Sequence, residues 1–202
     1  MSDKQTLVKS LTLMDGFFMV KVFEEPSCAE LLLKILLEKN DLEIQAIRTD
    51  FSRKPRLVMI ASDSAKKGYV IEVQRCDDIS PLFGRAHQSR LDVETIDPDC
   101  ADENIPDSYV VFIMEKDEWN LRKPLYSVER TVRNMENITA DDGSHIIYVN
   151  GENRDNTPLG RLMHDFCKHD PDKISYEPIA RRIAFLKTHS ASIEQIYKFK
   201  TT

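Results

Sequence analysis

Leu57-Val-Met-Ile-Ala61, Ser62-Asp-Ser-Ala-Lys-Lys-Gly68 and Tyr69-Val-Ile-Glu-Val-Gln74 together form the stretch whose reading decides the fold. Two apolar, β-branched runs flank a short polar turn that contains a glycine, which is the pattern of a β-hairpin with a longer loop. Side chains alternate along a strand, so Val70, Glu72 and Gln74 share one face while Tyr69, Ile71 and Val73 share the other. A turn centred on Ala65 sets Val58 opposite Glu72, on the same face.

Upstream of the hairpin, Leu42 to Asp50 reads as a strand, followed by the basic Arg53-Lys54-Pro55-Arg56 cluster. Before it, Asp15 to Lys39 carries Phe17, Phe18, Val22, Phe23, Leu31, Leu32, Ile35 and Leu36 at helical spacing. Pro26 divides that span, predicting two helices, the second capped by Ser27. Residues 1–12 read as a flexible lead-in. Downstream, Pro81 to Ile96 reads as a helix, 97–107 as an acidic loop, and Ser108 to Met114 as a buried strand. Leu125 to Val132 and His145 to Asn150 are shorter strands, separated by the Asp141-Asp142-Gly143 turn. From Pro158 onward helices alternate with loops, ending in an amphipathic or paired helix over Tyr176 to Lys198. This order predicts a mixed α/β core over 13–155 and a helical C-terminal extension over 156–202.

Composition narrows the class of protein. The chain has 202 residues, 41% of them hydrophobic, which is enough for a packed core. A net charge of −6 argues against indiscriminate coating of nucleic acid, while leaving room for a local basic groove. Cys28, Cys76, Cys100 and Cys167 are too scattered for a paired zinc or redox motif and read as reduced thiols. No apolar stretch is long enough to span a bilayer, and the polar first residues lack a signal-peptide pattern, so a soluble cytoplasmic protein without a membrane partner is expected.

Glu72 admits two readings. With Gln74 it could form the wet face of a half-buried strand; beside a second acid it could hold Mg²⁺, a hard ion that takes oxygen ligands and activates water against a phosphodiester. Arg53, Lys54 and Arg56 are placed to grip a phosphate backbone beside that site. Arg85, His87, Gln88 and Arg90 either line a phosphate groove or form a solvated helix face. His164, Cys167 and His169 have spacings that give no common helical face and read as helix-end packing rather than a metal cluster. Arg181, Arg182 and Lys187 read as solvent-facing, and Trp119 as an anchor for its charged loop.

The segments Leu11-Thr-Leu-Met-Asp-Gly-Phe-Phe18 with Lys21-Val-Phe23, Ile71-Glu-Val-Gln74, Arg85-Ala-His-Gln-Ser89, Pro106-Asp-Ser-Tyr-Val-Val-Phe-Ile113 and Leu125-Tyr-Ser-Val-Glu-Arg130 occur in this order across residues 11–150. In that order and spacing the chain resembles the PD-(D/E)XK nuclease family transposases, also described as recombination-promoting nucleases. The resemblance implies a restriction-endonuclease-like mixed central sheet flanked by helices and metal-dependent DNA cleavage linked to transposition or recombination, with Mg²⁺ or Mn²⁺ as cofactor. It implies DNA as partner and allows a homodimer. It casts Glu72 as a metal-binding acid and the Val73 carbonyl as a further ligand. Gln74 takes the position of the fold's catalytic lysine, and Asp15 that of an acid at the start of the first helix. Arg53, Lys54, Arg56, Arg85 and Gln88 are the DNA-binding candidates.

The departure is Val58, where the family pattern has an aspartate fourteen residues before the glutamate. An isopropyl group cannot ligate Mg²⁺, and the ion has few protein ligands to lose. The alternative expectation is therefore a catalytically inactive DNA-binding or protein-interaction module that retains the fold.

Overall fold

The protein is described from a computed structural model covering residues 3–51, 54–76, 80–97, 99, 105–134 and 138–201. Arg53 and Cys100 lie outside the described residues.

Three helices, α1 (Asp3–Ser10), α2 (Gly16–Phe23) and α3 (Pro26–Leu37), precede three strands, β1 (Glu43–Asp50), β2 (Arg56–Ser62) and β3 (Gly68–Arg75). Helix α4 (Pro81–Thr95) leads to β4 (Asp107–Met114), β5 (Leu125–Val128), the short pair β6 (Thr131–Val132) and β7 (Ile138–Thr139), and β8 (Ser144–Asn150). Helices α5 (Pro158–Phe166), α6 (Glu177–Thr188) and α7 (Ser190–Thr201) follow.

The predicted hairpin forms with the predicted register. β2 and β3 pair antiparallel, with Val58 opposite Glu72. Asp63 builds the turn: its carboxylate accepts from the backbone N–H of Ala65 and Lys67 at 2.9 Å and from the Tyr69 hydroxyl at 2.9 Å. Lys66 there adopts φ 68°, the left-handed conformation that closes the loop. The hairpin supplies the second and third strands of a six-stranded mixed sheet ordered β1-β2-β3-β4-β8-β5. β3, β4 and β8 run parallel, and the outer pairings are antiparallel. Two parallel neighbours cannot be joined by a tight turn, and α4 is part of the crossover from β3 to β4.

The two faces of the sheet differ. One packs Leu57, Met59, Ile71, Val73, Val111 and Ile113 against α2, α3, α5 and α6 in a large apolar core. The other carries a smaller cluster of Val58, Val70, Val110, Phe112 and Tyr148 under α4. The helix lies close to the sheet because position 84 is glycine: a Cβ there would sit 2.7 Å from the Tyr148 hydroxyl.

Several local expectations are corrected. Residues 3–10 of the expected flexible lead-in form α1, which buries Val8 and ties to α7 through Lys4 and Glu194 at 2.7 Å. Glu25, not Ser27, is the N-cap of α3, because Pro26 suits the first helical position and its missing N–H costs nothing there. The Leu125–Val132 strand is interrupted, only 125–128 pairing with β8. The Tyr176–Lys198 segment is two helices, broken at His189. Residues of α5, α6 and α7 enter the same core as α2 and α3, since Leu162, Phe166, Ile179, Ile183 and Ile196 are fully buried in it. Among the described residues no helix is long and apolar enough to cross a membrane.

Candidate functional site

The alternation along β3 puts Glu72 on the α4 face, where it is completely buried. A carboxylate taken out of water needs charged or hydrogen-bonding partners, and both oxygens of Glu72 have them. His87 Nδ1 lies 2.6 Å from Oε1. Arg90 Nη2 donates to Oε1 at 2.8 Å and Oε2 at 2.9 Å, and Arg56 Nη1 to Oε2 at 3.0 Å. An ionised carboxylate only accepts, so Nδ1 of His87 carries the proton. The 2.8 Å approach of Arg90 Nη2 to that same nitrogen is then a crowding of two donors around one acid, not a hydrogen bond.

Sequence spacing explains the convergence. His87, Arg90 and Glu94 fall three and four residues apart on α4 and share its sheet-facing side. Arg56, two residues before Val58 on β2, projects to the same face of the sheet. Glu94 closes the network with a bidentate pair to Arg56 at 2.9 and 3.0 Å, and Asp50 accepts from Arg56 Nε at 3.3 Å. Burial works to raise the Glu72 carboxyl; the His87 hydrogen bond and the Arg90 charge overcome it and hold the group below the usual carboxylate range. Glu94 foremost, with Glu72 and Asp50, pushes Arg56 further toward its charged form.

The other residues singled out from the sequence are not gathered around Glu72. Val58 stands opposite it and is buried in the smaller apolar cluster. Gln74 is buried next to Phe112 in the sheet register, with its Oε1 unpartnered. Val73 sits between Leu57 and Val111 in the middle of the sheet, where its backbone belongs to the ladder. Asp15 caps α2, accepting from Phe18 N–H at 3.0 Å, and forms an ion pair with Lys200 of α7 at 2.5 Å. Asp63 is committed to the hairpin turn and Asp50 to Arg56, so neither acid supplies the carboxylate missing at 58.

Asp15 instead lines a separate cavity of about 600 Å³ with Lys54, Pro55, Arg75, Cys76, Phe199 and Lys200. Lys54 is exposed and lies over the Phe83 ring at 4.2 Å. The cavity's three cations face two acids, Lys200 pairing with Asp15 and Arg75 with Glu115 at 3.1 Å, which leaves the exposed Lys54 as the excess positive charge among them on a chain whose net charge is −6. Of the remaining DNA-binding candidates, Arg85 is exposed, whereas Arg56 is absorbed by the Glu72 network. Gln88 is buried and its amide nitrogen is held by Ser108 at 2.5 Å and Asp92 at 3.1 Å, which turns it away from a phosphate role.

The Mg²⁺ or Mn²⁺ that the family resemblance implies does not suit this donor set. A hard cation needs free carboxylate lone pairs, yet both Glu72 oxygens face cationic donors and the opposing side chain is a valine. Among the described residues no group of three or more His, Cys, Asp or Glu side chains could hold a metal, and His164 is exposed. Trp119 anchors its loop, its ring tilted against Tyr126 at 4.7 Å and edge-on to Tyr148 at 5.0 Å. Arg90 and Glu94 are the participants whose roles the sequence reading did not identify; their signal was the 87/90/94 ladder facing an arginine on the strand. Compared with models of known protein families, with curated proteins and with solved structures, the chain matches none.

Proposed function

We propose that this chain is a non-hydrolytic protein built on a restriction-endonuclease-like core, and that it holds DNA phosphates at the basic cleft formed by Lys54, Arg75 and Lys200. The observation that carries the first half is the engagement of both Glu72 oxygens by Arg56, Arg90 and His87. The element order α2-α3-β1-β2-β3-α4-β4, with the glutamate on the second strand of the hairpin, supports the family-like core. The second half is supported by the exposed Lys54 beside the ion-paired Arg75 and Lys200, a local excess of positive charge on an otherwise acidic chain that recruits polyanions despite an unfavourable net charge.

In this reading the cations neutralise backbone phosphates and position the duplex without reading its sequence. Lys54 enters from the loop before β2, Arg75 from the end of β3, and Lys200 from the last turn of α7. No bond is cleaved, because the acid that the family uses has been taken into an ion-pair network.

The test combines plasmid incubation in Mg²⁺ or Mn²⁺ with fluorescence anisotropy on a labelled duplex across a salt series. No cleavage is expected, together with binding that weakens steeply with salt. Lys54→Glu should weaken binding and reduce the salt slope by about 1. Cleavage abolished by Glu72→Gln would overturn the non-hydrolytic half. Absence of binding at low salt would overturn the DNA half and favour a protein-interaction module.

A further inference from the structure

We infer that the guanidinium groups of Arg56 and Arg90 supply to Glu72 the positive charge that a divalent ion would otherwise bring, so that an acid at position 58 is not by itself sufficient to make a metal site. This rests on the reading of Glu72 as the retained acid of a nuclease-like hairpin. It adds that the site has two obstacles to metal, a missing ligand and an occupied one.

The face of the sheet beneath α4 shows why. In cross-strand register, Arg48, Val58, Glu72 and Val110 form one row, and Asp50, Arg56, Gln74 and Phe112 form the next. Cross-strand partners project to the same side, so a carboxylate at 58 would enter between Arg48 and Glu72, two residues along β2 from Arg56 and on its face. It would meet guanidinium groups already in place. Those groups are part of the folded chain and compete with the ion intramolecularly, without the entropy of bringing in a separate partner.

The two arginines do not hold Glu72 in the same way. Arg56 is 12% exposed along its side chain and is also held by the bidentate pair to Glu94 and by Asp50. Removing it would dismantle the link between β2 and α4. Arg90 spans both Glu72 oxygens, is 39% exposed, and otherwise approaches His87 Nδ1 at 2.8 Å and Glu94 at 3.9 Å. Arg90 is therefore the group whose removal opens Glu72 with the least disturbance. His87 remains as a donor to Oε1, the usual relation of an outer hydrogen-bonding partner to a metal-bound carboxylate.

Titration with Mn²⁺, followed by loss of the free-ion paramagnetic resonance signal, reads the site without reference to DNA. The protein and its Val58→Asp variant should bind weakly and alike. Val58→Asp with Arg90→Ala should bind at least about tenfold more tightly, and adding Glu72→Gln should remove the gain. Tight binding by Val58→Asp alone would overturn the inference, as would a double variant no tighter than the single one or a gain that survives Glu72→Gln. Circular dichroism establishes that each variant is folded. If Val58→Asp does not fold, the same comparison is made with Val58→Asn, whose amide oxygen is an uncharged ligand, and equal binding with and without Arg90 then overturns it. The outcome is separate from that of the duplex-binding test, which can fail while this one succeeds.

Discussion

Two buried charges in this molecule are handled in opposite ways. Glu72 is neutralised by side chains: two arginines and a histidine drawn from β2 and α4 converge on it. Lys187, on α6, is 5% exposed and hydrogen-bonds to backbone, donating to the carbonyls of Lys9 at 2.9 Å, Leu11 at 2.6 Å and His169 at 2.6 Å, with the Phe18 ring 5.2 Å away. An acid held by charges depends on which residue types stand around it and can be converted by substitution. A cation held by carbonyls depends only on where three stretches of chain run. The first arrangement ties β2, β3 and α4 together through side-chain charges; the second is a clasp joining the end of α1 and the loop after α5 to α6.

The comparison can be broken first by removing the central charges. Glu72→Ala leaves Arg56 and Arg90 facing each other without their acid and should cost about 4 kcal/mol in urea unfolding. A loss below about 1 kcal/mol would mean that Glu94 and Asp50 suffice to hold the arginines. Lys187→Met should cost about 2 kcal/mol, because buried carbonyls lose their donor. Hydrogen exchange should also quicken at the end of α1, while the hairpin amides stay protected.

Proton linkage sharpens the contrast. Glu72 titrates lower in the folded chain than in the unfolded one, so its contribution is complete above the unfolded value of about 4.3 and disappears as pH falls through the folded value. Burial pushes Lys187 down from 10.5 to about 8. Between those values the unfolded chain binds the proton and the folded one does not, so Lys187 makes stability rise with pH across that window, opposed from about 9 upward by the Cys28 thiol, which burial pushes up to about 11. Lys187→Met should lack that rise. The smallest effects concern the neighbouring arginines. Arg182 donates to Lys21 O and to Glu24, and Arg182→Ala should cost about 1 kcal/mol in the same unfolding assay. Arg181 is exposed beside Glu177 at 3.6 Å, and Arg181→Ala should stay within about 0.5 kcal/mol.

Arg182 and Lys187 also mark where sequence reading stopped. The amphipathic pattern points both toward solvent, because charged residues on such a helix usually face it. Helical spacing does place Ile179, Ile183 and Leu186 inward, and all three are buried. It cannot report that α1 and α2 run beside α6 and turn carbonyls toward its charged positions. Asp165 is a similar case, fully buried and accepting from Ser175 and Tyr176 across the α5–α6 loop.

By itself the sequence determined the hairpin, its register and the shared face of Val58 and Glu72, because strand alternation and a short turn leave almost no freedom in that arithmetic. It also determined the helical character of the span read as 81–96 and the buried strand read as 108–114, through local apolar pattern. Only the tertiary structure decided what Glu72 touches. That depended on α4 crossing the sheet close enough to bring His87 and Arg90 onto a carboxylate, with Arg56 arriving from the adjacent strand. Such convergence is set by the packing distance between layers. A period along the chain shows which face a residue occupies; the partners that meet it there come from other parts of the chain.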